Sequence, residues 1–325
     1  MLKKLVVELT NLCNLDCDYC FKEPGTTHLD ITLLHRLLEE ARTWGASKIT
    51  YTGGEVAVYP QLEDVFQRTE SLGYRYAVVT NGWHFDRLFP LLINARASLS
   101  HIFFSLDSAS EAQHDNVRGK GSYKRVLNGV ACCKENTLPF SFLVTVNQRN
   151  HNELETLARL AADLGGAGIT FGHLLPTSKS LDQQLSLNHE ERQAAETEAK
   201  RLRELLGISV SFSASASNDA AVCCEPLAGR TVSVDSRGRV SLCCQLTGYR
   251  HSAEEQDIIA DLNTVSFGRA YAGFLSLALV QRMRRSRGLL LQKESAQYPC
   301  DFCVAGMKKT EWRGQSNLAV RLSGP

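Results

Sequence analysis

The chain has 325 residues, 43% of them apolar and 22% charged, with a net charge of +1. That is an ordinary globular balance for one large or two modest domains, and it leaves no strong global field to draw nucleic acid or a membrane surface. No run approaches the roughly 18 apolar residues of a bilayer span, and MLKKLVVELT lacks a signal peptide's longer apolar core and cleavage site, so a cytoplasmic protein is expected.

The first two thirds of the chain alternate strand and helix. Leu5–Leu9 reads as a strand, and Leu33, Leu34, Leu37 and Leu38 mark one face of a helix from about Ile31 to Trp44. Strands are predicted at Lys48–Thr52, Tyr74–Thr80, His101–Leu106, Phe140–Val146 and Ile169–His173. Helices are predicted at Leu62–Leu72, Tyr123–Lys134, Glu153–Leu164 and Glu190–Leu206. Six βα units with short connections imply a parallel sheet with right-handed crossovers. With two units fewer than a closed barrel, an α/β partial (β/α)6 barrel of the TIM type is expected over residues 1–210. Beyond Gly207 the pattern changes: Ser211–Asn218 reads as a linker, and Thr231–Val234 and Arg239–Leu242 alternate around a four-residue turn, a hairpin signal. A helix is expected near Phe267–Arg284.

Eleven cysteines, odd in number and closely spaced, argue against a disulfide framework and for metal or redox chemistry. Cys13, Cys17 and Cys20 have the spacing C-x3-C-x2-C directly after the first strand. Cubane iron–sulfur clusters take thiolate ligands, normally four. Three cysteines on one tight loop hold three irons and leave the fourth open to a substrate or cofactor, as an open zinc position is. A zinc loop is the alternative reading of such a spacing.

Taken with Gly53-Gly54-Glu55 after the second strand and Thr80-Asn81-Gly82 after the third, this loop resembles the radical S-adenosylmethionine (SAM) superfamily. The resemblance implies a [4Fe–4S] cluster on Cys13, Cys17 and Cys20 whose open iron binds SAM. It implies reductive cleavage of SAM to a 5′-deoxyadenosyl radical that takes hydrogen from an unactivated carbon, and an electron donor of the flavodoxin or ferredoxin type. Gly53-Gly54-Glu55 is similar to the family's GGE motif, in which Glu55 would accept from the SAM ammonium. Tyr19 and Phe21 flank Cys20 where the family packs an aromatic residue near adenine. Thr80-Asn81-Gly82 is a family-like turn, and Ser105 and Asp107 end the fourth strand where members contact the ribose. His114-Asp115-x-x-Arg118-Gly119 resembles a motif of the peptide- and sugar-modifying branch, with Arg118 suited to the SAM carboxylate. Asn147 is a further SAM candidate.

A second pattern comprises Cys224, then thirteen residues to Gly238, four to Cys243, and Cys300-x2-Cys303. It resembles the twitch domain, a shortened SPASM domain, and implies one auxiliary [4Fe–4S] cluster within residues 211–325; four cysteines on one zinc remain the alternative. Cys223-Cys224 and Cys243-Cys244 are doublets, and the sequence leaves open which member of each is the ligand. Cys132-Cys133, on a helix, reads as a pair of core thiols. The segment Ser241-Leu242-Cys243-Cys244 with Cys300-x2-Cys303 resembles the radical SAM epimerases, including the epipeptide type. That resemblance makes Cys243 the ligand and Cys244 the donor of a hydrogen atom.

Epimerisation of a peptide residue or an aminosugar is therefore the first functional expectation. The second is dehydrogenation or peptide cross-linking, with the auxiliary cluster as electron acceptor. A non-catalytic iron–sulfur scaffold is a third. With the cluster loop opening at residue 13, no N-terminal peptide-recognition domain is expected, which suits a small molecule or a short peptide bound in the barrel. His28, His84 and His173 are isolated histidines, and Arg282–Arg287 is locally basic, read as a solvated helix face.

Overall fold

The computed structural model describes residues 1–213, 224–250, 255–291 and 297–310. In chain order, strand β1 (Lys4–Thr10) leads through the cysteine loop to helix α1 (Ile31–Thr43), β2 (Lys48–Gly53), a short 3₁₀ turn (Val56–Val58), α2 (Leu62–Ser71) and β3 (Arg75–Thr80). Then come α3 (Phe85–Asn94), β4 (Leu99–Ser105), α4 (Glu111–Arg118), α5 (Ser122–Glu135), β5 (Phe140–Val146), α6 (Leu154–Asp163) and β6 (Gly168–His173). The remaining elements are α7 (Ser178–Asp182), α8 (His189–Leu205), β7 (Ser209–Ser213), β8 (Thr231–Val234), β9 (Arg239–Ser241), β10 (Ile258–Asp261), α9 (Phe267–Leu290) and α10 (Pro299–Gly306).

Strands β1 to β7 are parallel neighbours in sequence order, the partial barrel expected from the alternation. On one face of the sheet Leu5, Val7 and Leu9 of β1 and Ile102 and Phe104 of β4 are fully or nearly fully buried in the main core beneath the helices. Their alternates, such as Glu8 on β1 and Ser105 on β4, point to the concave side. Among the described residues, no helix is long and apolar enough to cross a membrane.

Helices α4, α7 and α10 and strand β10 have no counterpart in the sequence expectation, and three further findings differ from it. Ser211–Ser213 belong to β7, a seventh parallel strand, and only 214–218 of the expected linker lie outside the described residues. The segment is small and polar, yet Val210 is buried and Gly168 of β6 lies so close that a Cβ there would stand 2.4 Å from the Ser209 carbonyl oxygen. Val210 and Phe212 alternate with the serines, Phe212 lying against Phe171 and His173, so pairing and a short period-two burial together make it a strand. The hairpin β8–β9 joins the same sheet, because β8 pairs in parallel with β1 from the Lys4–Thr231 to the Val7–Val234 partners. Helix α3 is absent from the sequence expectation because Pro90 interrupts its pattern; it forms because Phe85, Leu88 and Leu92 are buried together.

Helix α1 is started by Asp30, whose Oδ1 accepts the Leu33 amide at 2.8 Å. Asp30→Ala is expected to cost about 1 kcal/mol, read as a fall in the denaturant midpoint without a change in slope.

Candidate active site

The cysteine loop has no helix or strand of its own, so its shape is set by neighbours. The end of β2 supplies the first hold. Gly54 N–H donates to the Thr10 carbonyl at 2.7 Å and Glu55 N–H to the Leu12 carbonyl at 2.9 Å. A Cβ on Gly53 would stand 2.4 Å from Thr10 O, and one on Gly54 would stand 2.2 Å from Leu12 O. These glycines therefore serve the close approach of the cluster loop's own backbone.

Glu55 is fully buried and acts as a second anchor. Its Oε1 accepts the Thr80 hydroxyl at 2.6 Å and the Ala57 amide at 3.0 Å, and its Oε2 accepts the Asn81 amide at 2.7 Å. Burial raises its pKa, while these bonds from Asn81, Thr80 and Ala57 and the more distant Arg118 oppose the rise. A carboxylate offers about four lone-pair sites, so one on Oε2 is left for an ammonium donor. Asn81 reaches the cysteines directly: its Nδ2 donates to Asn14 Oδ1 at 3.0 Å and approaches Cys13 Sγ at 3.8 Å.

The third hold is a charged clamp on Asp107. Its Oδ2 accepts the Tyr19 hydroxyl and Arg118 Nε, each at 2.5 Å, and its Oδ1 accepts the Thr145 amide at 2.9 Å. The Arg118 guanidinium also lies 5.4 Å from the centre of the Tyr19 ring. His114 supports the clamp from below, its Nδ1 accepting the Asp107 amide at 3.2 Å. Asp115 caps α5 through the Gly121 and Tyr123 amides. The His-Asp-x-x-Arg-Gly motif is thus at least a device for seating the cluster loop, with Arg118 held by Asp107. Burial carries the His114 pKa down to about 4, with Arg118 helping.

The other sequence candidates fall in two places. Ser105 shares the half-buried face of β4 with His101 and Phe103. Asn147 is spent on its own turn, donating to the Thr145 carbonyl and accepting the Arg149 amide. Phe21 points the other way from Tyr19, against the Tyr249 ring at 5.7 Å. The three histidines serve packing: His28 sits edge-on to Tyr59, His84 precedes α3, and His173 pairs with Glu196 at 2.8 Å beside Tyr298.

Cations that the sequence did not single out surround the loop's two aspartates. Arg250 and Lys179 hold Asp16 at 2.8 and 3.0 Å, and Arg149 holds Asp18 at 3.0 Å. Arg250, first among these, lowers the Asp16 pKa. Burial raises Cys13 and pushes Cys17 up to about 12.

The second cysteine set gathers behind β8 and β9. Cys243 lies beside Cys244 and within electrostatic range of Cys300; Cys300 has Cys303 and Cys224 as neighbours, and Cys303 has Cys224. Cys244 is hydrogen-bonded to Cys243 and is also within range of Cys300, and it lies near Lys22, Lys4 and Ser233 as well, on the concave side of β1 and β8. Cys223 lies outside the described residues. The two sets are joined by a short antiparallel strap. Glu23 N–H donates to the Gly248 carbonyl at 2.7 Å and Arg250 N–H to the Phe21 carbonyl at 2.8 Å. At its centre the Lys22 ammonium bonds Glu8 at 2.6 Å and the Thr247 carbonyl at 2.7 Å.

Among the described residues no three His, Cys, Asp or Glu side chains converge as the ligands of one metal ion do. Thiolates are the donors that a cubane cluster takes, so both cysteine sets fit that group by donor type. Beside Lys22 opens a cavity of about 660 Å³, lined among others by Glu8, Asp235, Arg239, Asp257 and Lys309.

Two variants check this geometry. Gly54→Ala drives a methyl group into the Leu12 carbonyl and is expected to cost about 1–3 kcal/mol and to lower iron retention after reconstitution. Because the folded His114 pKa lies below the unfolded value, its contribution is fully present above about pH 6.5 and lost as pH falls toward about 4. Urea midpoints of His114→Gln should accordingly fall less than wild-type midpoints over that window; parallel curves would contradict a buried neutral His114.

Residues 7–161, from within β1 to within α6, match the Radical SAM superfamily. Fe-coproporphyrin III synthase of Methanosarcina barkeri is 28% identical over 213 residues, covering 62% of this chain and 53% of that protein. PqqA peptide cyclase of Gluconobacter oxydans is 26% identical over 174 residues, covering 52% of this chain and 48% of the relative. The chain spans about half the length of the curated relatives it matches. Among solved structures, anSMEcpe with bound AdoMet superposes with a TM-score of 0.70 at 13% identity, covering 97% of both chains. SuiB of Streptococcus suis bound to its precursor peptide SuiA gives 0.66 at 13% identity, covering 92% of this chain and 74% of SuiB. At such identities the likeness is one of fold. Match, partial barrel and three-cysteine loop agree over the same span: residues 7–161 are a Radical SAM superfamily segment.

Proposed function

We propose that the chain is a radical SAM epimerase that inverts a carbon centre in a short peptide or an aminosugar, with Cys244 as the hydrogen-atom donor. The observation that carries this reading is the different company kept by the two thiols of the doublet. Both lie within electrostatic range of Cys300, but Cys244 alone also has the cations Lys22 and Lys4 and the Ser233 hydroxyl as neighbours. Lys22 stands two residues from Cys20 and bonds the loop that begins at Cys244. A radical formed on substrate near the first cluster therefore has a thiol nearby that is not needed as a ligand.

The groups implied by the family are two [4Fe–4S] clusters and SAM. Cys13, Cys17 and Cys20 would hold the first; Cys224, Cys243, Cys300 and Cys303 the second. Glu55, through its remaining lone pair, would take the SAM ammonium, with Gly53, Gly54, Tyr19, Phe21, Ser105, Asp107, Arg118 and Asn147 shaping the surroundings. When bound, SAM on that cluster would supply one-electron removal of a hydrogen atom from carbon. Cys244 would return a hydrogen atom from the opposite face, its sulfur then regaining one electron from a flavodoxin- or ferredoxin-type donor and one proton from solvent.

The donor must be protonated. In the metal-free chain a hydrogen bond from Cys243 lowers the Cys244 pKa, with Lys22 and Lys4 acting in the same sense. A Cys243 thiolate held as a ligand would no longer donate that bond and would add a like charge, both of which act to raise it. The 660 Å³ cavity supports a polar substrate: its lining mixes carboxylates and cations, and Tyr249 is its one aromatic ring among the described residues. The structural relatives with peptide bound, SuiB and anSMEcpe, favour a peptide.

Oxidation is the second reading, favoured by auxiliary cysteines that supply a full set of four ligands and so suit electron transfer. Product mass separates the two: unchanged for epimerisation, about two daltons lighter for dehydrogenation. Reconstituted chain should hold about eight irons and eight sulfides; one zinc per chain would remove the second cluster. Cys244→Ser should keep that content and still cleave SAM, but lose the inverted product and the solvent deuterium at the inverted carbon. Full product formation by this variant would end the epimerase reading.

A further inference from the structure

Helix α9 carries most of the exposed large apolar side chains among the described residues. Leu279 is 56% exposed, Met283 63% and Leu290 80%, and Leu275, Val280 and Leu291 join them. Leu275, Leu279 and Met283 recur every fourth residue and so form one stripe along the helix. Arg282 and Arg284 flank Met283 to either side, and Arg287 stands one turn further on. The helix has no aspartate or glutamate, and none of these three arginines enters an ion pair among the described residues. Contiguous apolar surface of this kind marks an interaction site on a soluble protein, and methionine with arginine is the composition of interface centres.

The other side of the same turns meets the auxiliary cysteines. Gln281 and Arg285 are buried, Arg285 donates to the Gln297 carbonyl at 3.2 Å, and its guanidinium lies within electrostatic range of Cys303. Gln281 Oε1 comes within 4 Å of α10 at Gly306 (3.8 Å to a Cβ placed there). Only the thickness of one helix, roughly 10–12 Å, separates the arginine ridge from Cys303.

We propose that this ridge docks an acidic electron-carrier protein, with carboxylates around an apolar centre on the carrier meeting Arg282, Arg284 and Arg287 around Met283. Opposite charge at such a rim steers encounter and fixes orientation. A second copy of this chain suits the ridge poorly, because three arginines from each copy would meet with no acid on either helix. In the docked pair one electron moves: the carrier's flavin hydroquinone is oxidised to the semiquinone, and an oxidised [4Fe–4S] cluster on Cys224, Cys243, Cys300 and Cys303 is reduced by one unit. This step rests on the auxiliary cluster proposed above; the docking surface does not.

The test uses the full chain with clusters reconstituted anaerobically, and a bacterial flavodoxin as the probe. Wild-type binding should weaken steeply with salt, and the triple variant Arg282→Glu, Arg284→Glu, Arg287→Glu should bind about tenfold or more weakly. Leu279→Asp should also weaken binding, and both variants should be reduced by dithionite like the wild type, which separates lost docking from a lost cluster. Equal flavodoxin binding by wild type and triple variant overturns the proposal. So does a dimer in sedimentation that Leu279→Asp abolishes, or adhesion to anionic phospholipid vesicles without flavodoxin binding. A wild-type content of about four irons overturns the electron step and the auxiliary cluster together, while the binding curves decide the docking independently.

Discussion

The Asp107 carboxylate is the constraint on which the site depends. It is a buried charge, and removing a charge from water is costly unless the charge is paired and hydrogen-bonded. Here Tyr19 from the cluster loop, Arg118 from α4 and the Thr145 amide from β5 supply that pairing and those bonds. One group thus ties together a loop, a helix and two strands that share no local pattern. Glu55 repeats the device a strand away, joining the β2 end to the Thr80–Asn81 turn. A loop that must place three sulfurs cannot rely on its own backbone pairing, so its geometry is imposed by these two carboxylates and by the glycine contact at Gly53 and Gly54.

A second dependence runs from the cluster loop to the C-terminal part of the chain. The strap between Phe21–Glu23 and Gly248–Arg250 is short, but it is reinforced by Lys22, bonded at once to Glu8 and Thr247. Because β8 also pairs with β1, the auxiliary cysteines are fixed to the same strand that launches the first cysteine loop. Sheet continuity therefore couples the two sets more tightly than a flexible linker between separate lobes would.

Much of the barrel was legible because its strands and helices carry their burial periodically. Leu33, Leu34, Leu37 and Leu38 mark the inner face of α1, and the strand read over Phe140–Val146 has the bounds of β5. The parts that were not legible lacked such a signal. β7 offers only two apolar residues, Val210 and Phe212, in a run of serines that reads as polar, and α3 contains a proline. Within the site, the cysteines and Glu55 stood out as motifs. Lys179, Arg149 and Arg250 did not, because they reach the loop from 163, 131 and 234 residues away.

The sequence by itself determined the chemistry of the first cysteine loop: a C-x3-C-x2-C spacing after the first strand, with Gly-Gly-Glu after the second, is a local pattern that survives any arrangement of the rest. It also determined that eleven cysteines were too many for packing alone. Only the tertiary structure decided that Arg118 is held by Asp107, that the glycines of the motif receive the loop's backbone, and that of the doublet Cys244 alone has Lys22 and Lys4 as neighbours. Those are relations between side chains far apart in the chain, and they come into being only when the strands lie side by side and each face acquires a direction.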